Sequence, residues 1–192
     1  MDFYDIFVAI ENSPIGTWVR NSSHGLPLIN AAHIIAVAMV FGTIFVVDLR
    51  LLGLQARNRA FTRVAGDLLK WTWAGFALAV VTGLLLFAAN ATTFYSNTQF
   101  WFKMGALALA GINMFVFEFL TIRNVEEWDT DATPPVAARI SGLLSIGLWC
   151  TVIVFGRWIG YTKGWNFSAP SEIDLDNLFF GAITAIQNFQ IA

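Results

Sequence analysis

LPLINAAHIIAVAMVFGTIFVVDLRLLGL, residues 26–54, is the stretch whose reading decides the fold. No formal charge occurs between Arg20 and Asp48, which is enough chain to cross a hydrocarbon core of about 30 Å at about 1.5 Å per residue. The stretch reads as a membrane span that holds one histidine, His33. An ionisable side chain inside a span is costly to bury, so His33 is a functional-site candidate whose partners must be sought on other helices.

The rest of the chain carries the same signature. Of its 192 residues, 57% are hydrophobic and 12% charged, against about 25% charged for an ordinary soluble domain. This composition excludes a soluble globular class and points to one compact bundle of a few spanning helices. A net charge of −2 gives no basis for nucleic-acid binding. The single cysteine, Cys150, excludes an intramolecular disulfide. The opening MDFYD has no basic segment ahead of an apolar one, so no cleaved signal is expected.

Outward from the first span, Phe3, Ile6, Phe7 and Ile10 fall at helical spacing and predict a short amphipathic surface helix over 3–11. Ser13 followed by Pro14 predicts a capped second helix over 14–22. The four spans are expected at about 27–49, 70–90, 99–122 and 136–161. Arg50, Arg57, Arg59, Arg63 and Lys70 follow the first span, with only Asp48 and Asp67 against them. By the positive-inside rule this puts that connection in the cytoplasm and both termini outside. Residues 71–102 carry no charge, and NATTFYSN (90–97) supplies a polar break between the second and third spans. The tail repeats a helical period over about 174–189. The expected architecture is all-α, a four-transmembrane-helix bundle in a bacterial inner membrane with N-out/C-out topology. Acidic residues on the flanking helices (Asp2, Asp5, Glu11; Glu172, Asp174, Asp176) suggest either a surface resting at the lipid interface or a docking face for a membrane complex or a second copy.

This topology sorts the buried charges into two layers roughly 22 Å apart along a helix. His33, Lys103 and Arg157 fall near the outer surface. Asp48, Arg50, Glu118 and Arg139 gather near the inner one, where ion pairing is the first expectation. The outer layer has an imidazole and two cations without a carboxylate from any span, so its anions must come from a ligand, lipid or the acidic surface helices. Haem b fits that pattern. His33 would supply an axial nitrogen, Lys103 and Arg157 would meet the propionates, Trp101 and Trp158 would stand nearby, and Tyr161 would share the ligand or face the headgroups. His24 and Met104 are weaker candidates for a sixth ligand. Copper is the competing metal, through His33, Met39, Met104, Met114 and Cys150. A structural subunit without cofactor is the third reading. In the fourth span Gly156 and Gly160 form a small-residue pair that predicts close helix contact around Arg157.

The segments SPIGTWVR, INAAHIIAVAMVFGTIFVVDLRLLGL, WAGFALAVVTGLLLFAA, WFKMGALALAGIN and GRWIGY, spread between Ser13 and Tyr161, resemble a family of small four-helix bacterial membrane proteins classed as a domain of unknown function. A more distant likeness links His33, Arg50 and Lys103 to the haem-binding membrane protoporphyrinogen oxidases. There Asp48-Leu49-Arg50 stands in place of the expected proline-arginine pattern. The early histidine followed by small residues is similar to the copper-resistance protein D family. These resemblances imply a haem-dependent redox role or copper handling, respectively.

Overall fold

The computed structural model describes residues 3–131 and 133–162, and every regular element among them is helical. The expected helix at 174–189, with Glu172, Asp174 and Asp176, lies outside the described residues, as does Asp2. Two short helices, α1 (Phe3–Glu11) and α2 (Pro14–Asn21), precede α3 (Gly25–Leu51) and α4 (Phe61–Ala89). Then come α5 (Ala91–Tyr95) and α6 (Thr98–Val116). A wide π turn (Phe117–Thr121) and a 3-10 turn (Ile122–Asn124) lead to α7 (Val125–Trp128), and α8 (Val136–Thr162) follows. Four helical stretches are long and apolar enough to cross a membrane, with α6 through α7 counted as one. The chain is that of a multi-pass membrane protein.

Side-chain placement follows from a solvent of lipid. Ile34, Ile35, Val81, Leu84, Leu109, Ile112, Leu143 and Val154 point outward, while Ala36, Gly75, Thr82, Ala106, Ala110 and Gly142 are buried or face a neighbouring helix. Small residues allow backbones to approach, and packing rather than water exclusion then holds the helices. A Cβ on Gly75 of α4 would lie 2.9 Å from Met39 and 3.1 Å from Val40 of α3. One on Gly142 of α8 would lie 3.2 Å from the Asp48 carbonyl. α3 packs on α4 and α6 on α8, and the two hairpins meet through α3 and α8. The backbones of α4 and α6 do not pack closely. Aromatic rings bridge them near both ends, Phe87 to Phe100 at 5.7 Å and Phe61 to Phe117 at 5.9 Å.

Two boundaries differ from expectation. α4 begins at Phe61 rather than near residue 70, because the Asp129 carboxylate accepts from the Thr62 N–H (2.8 Å) and hydroxyl (2.8 Å) and so caps a polar first turn. Apolar runs report the lipid-crossing part of a helix and miss such extensions. The third span breaks at Val116, where the π turn turns Phe117 and Ile122 onto a cluster of Leu51, Phe61, Trp128 and Ala138.

The two surface helices predicted near the N-terminus form, and Ser13 caps α2 by accepting from the Gly16 N–H. They are strapped to the bundle. A Cβ on Gly16 would sit 2.6 Å from the Ala88 carbonyl, and Val19 is fully buried. Arg20 pairs with Glu11 at 3.3 Å and donates to the Ala89 carbonyl. Glu11 in turn accepts from the Thr92 N–H (2.8 Å) and hydroxyl (2.6 Å), so this member of the acidic face is engaged within the chain. Phe3, Ile6, Ile15 and Trp18 remain exposed.

Candidate functional site

His33 lies half-buried between α3 and α4. Its Nδ1 is 2.9 Å from the Thr82 hydroxyl oxygen, and that hydroxyl lies 2.6 Å from the Leu78 carbonyl. A carbonyl can only accept, so the Thr82 proton goes to Leu78 and Thr82 accepts from Nδ1–H. The relay fixes the imidazole as the Nδ1–H tautomer and leaves the Nε2 lone pair as a base or ligand. Gly83 makes room for the ring, since a Cβ there would stand 3.2 Å from Cε1 of His33.

Lys103 of α6 stands close enough to His33 for their charges to interact. Its stem runs over Gly156 of α8, with Cε 3.7 Å and Nζ 3.8 Å from where a Cβ would be. Gly156 therefore accommodates Lys103 rather than a helix backbone, and Gly160 meets nothing within 4 Å. Among the described residues, the nearest contact at the two glycines that bracket Arg157 is therefore a side chain of α6 and not a backbone. Arg157 instead points to the exposed surface, where its Nη2 donates to the Tyr161 hydroxyl at 3.3 Å and its guanidinium lies 5.1 Å from that ring. Trp158 and Trp101 are also about half exposed, and Trp101 donates its indole N–H to the Tyr95 carbonyl. Of the six residues expected around a cofactor, the structure brings His33 and Lys103 together. It places Arg157, Tyr161, Trp158 and Trp101 on the periphery. His24 is exposed on the loop before α3 and bonded to Ser23 (3.0 Å), away from the bundle interior.

The sulfur ligands do not converge either. Met39 packs against Gly75, Met114 and Cys150 are exposed, and Met104 is half-buried beside Lys103 in the chain. Among the described residues no group of three or more His, Cys, Asp or Glu side chains is placed to hold a metal ion. For haem, the donor set fits in two respects: one oriented imidazole nitrogen and one ammonium without a carboxylate partner among the described residues. An imidazole whose other nitrogen donates to a fixed acceptor is the arrangement that orients metal-bound histidines.

At the opposite end of the bundle the expected ion pairs are replaced by other partners. Arg50 is fully buried, and its guanidinium donates to the backbone carbonyls of Arg59 (3.0 Å), Asp129 (3.1 Å) and Asp131 (3.0 Å), gathering both loops at that end. Asp48 meets the Ser145 hydroxyl, whereas Glu118 and Arg139 are exposed. Between the layers, Thr72 donates to Thr43 at 2.8 Å and Asn113 exchanges hydrogen bonds with Ser141. The Thr82 relay and the Arg50 clamp are contacts that the linear reading missed. The signal for the first was a hydroxyl in the middle of a span, which has to find a polar partner in lipid.

The profile of a family of unknown function, DUF6644, matches residues 24–162. The chain belongs to that family. The match takes in His33, Thr82, Lys103, Asp48 and Arg50 and leaves α1 and α2 outside it. No curated protein and no solved structure matches the chain, and nothing in the comparisons supports kinship with the protoporphyrinogen oxidase or copper-resistance families.

Proposed function

We propose that this DUF6644 member binds haem b within the membrane, near the end of the bundle that carries α1 and α2, as an electron-transfer protein or an accessory subunit of a membrane redox complex. The observation that carries the reading is the His33–Thr82–Leu78 relay, which leaves Nε2 of His33 free for a ligand, with the Lys103 charge within electrostatic range of the ring. His33 would serve as axial ligand, Thr82 would hold its ring, and Lys103 would bind one propionate. Haem would supply one-electron chemistry. The protein's part is to orient the imidazole, provide the cation and exclude water with the Phe87, Phe94 and Phe100 cluster above the site. The basic residues Arg57, Arg59, Arg63 and Lys70 at the other end support placing that end in the cytoplasm of a bacterial inner membrane, with His33 toward the outside.

The test is a reduced-minus-oxidised absorbance spectrum of the full chain purified in detergent. A Soret and α-band difference is expected, lost in His33→Ala and kept in His24→Ala. A featureless spectrum from protein expressed with ample haem refutes the proposal.

A further inference from the structure

We infer that Asp48 is an intramembrane proton-binding site, at the end of the bundle opposite the His33 layer and independent of any cofactor there. Its side chain is 5% exposed in the last turn of α3, which packs on α8 so closely at Gly142 that a Cβ there would lie 3.2 Å from the Asp48 carbonyl. The Ser145 hydroxyl is its side-chain partner, and Oδ2 is buried without any. Among the described residues no cation pairs with it. Arg50, two positions along, turns its guanidinium to the carbonyls of Arg59, Asp129 and Asp131. Other charged groups toward that end include Arg59, Asp129 and Asp131 of the two loops, Arg63, Asp67 and Lys70 on α4, Glu118 after α6 and Arg139 on α8. None is buried, and none forms an ion pair with Asp48.

An ionised carboxylate would therefore be desolvated, half hydrogen-bonded and set at the negative end of a helix macrodipole. A buried acid in that position neutralises itself by taking up a proton. The ligand class is a proton, bound at a carboxyl oxygen and released as the carboxylate forms. Asn113 and Ser141 extend the polar cluster one turn along α8, at 3.1 and 3.2 Å from one another's acceptors, and Thr43 with Thr72 lies toward His33.

The experiment is infrared spectroscopy of the full-length protein in liposomes at about pH 6, where an ordinary aspartate of pKa about 3.9 is ionised. We expect one carboxylic-acid carbonyl band that is absent in Asp48→Asn, bleaches at alkaline pH, and moves to higher frequency in Ser145→Ala as its hydrogen bond is lost. The band should be the same in sodium and choline buffers and in haem-free protein. If Asp48→Asn removes only carboxylate absorption at that pH, the site is ionised and the inference falls. If sodium alone abolishes the acid band, the site takes a metal cation rather than a proton, and the inference falls equally. His33→Ala should leave the band in place, which separates this result from the haem proposal.

Discussion

Replacing Thr82 by valine isolates one bond. Valine keeps the branched shape and removes the oxygen that accepts Nδ1–H of His33 at 2.9 Å. An abandoned buried donor costs about 1–3 kcal/mol. Against a total stability of about 5–15 kcal/mol the bundle survives the change. Loss of a partner that orients a metal-bound histidine lowers affinity about 10–100-fold. That corresponds to about 1.4–2.8 kcal/mol, so one lost bond accounts for both effects. The assay is titration of haem-depleted protein with haemin, followed at the Soret band, with Thr82→Ser as the variant that keeps the hydroxyl. Wild-type affinity is expected for Thr82→Ser and the weakened value for Thr82→Val. If Thr82→Val binds like wild type while His33→Ala does not bind, the tautomer argument is wrong even though the ligand is right.

Four further outcomes follow from the same geometry. Lys103→Met should weaken haem binding about tenfold or more, since a charge-assisted hydrogen bond contributes about 1.5–3 kcal/mol. Arg157→Gln should leave it unchanged, because that guanidinium faces Tyr161 on the exposed surface; the same titration checks both. Arg50→Met removes donors from three loop carbonyls and should destabilise the fold by ~2–4 kcal/mol, read as a lowered thermal midpoint in detergent. Gly16→Leu places a side chain against the Ala88 carbonyl and should lift α2 from the bundle, which limited trypsin digestion would report as faster cleavage after Arg20.

The spans were legible because uninterrupted apolar runs have one physical explanation, and the capped helix at Pro14 was legible because its signals are local. Contacts between helices were not. His33 stood out in the sequence, but its partner Thr82 is fixed by antiparallel register between α3 and α4, which no single run of residues encodes. Lys103 could be placed at the right depth, while its direction depended on the gap that Gly156 leaves on a different helix. Arg157 has the same depth and the opposite fate, because Tyr161 one turn along its own helix satisfies it at the surface.

Arg50 shows why charge counting misleads in a bundle of this kind. Beside Asp48, and with Glu118 at a similar depth, it invites an ion-pair reading. A guanidinium has five donors in a planar fork, and a carboxylate can use only part of that fork. Where two loops end near one another over a buried site, backbone carbonyls need donors, since each left unpaired in an apolar setting is costly. Arg50 meets three of them at once. Asp48, deprived of that cation, is left with a serine hydroxyl and a buried oxygen, and this makes it a proton site instead of half of a salt bridge.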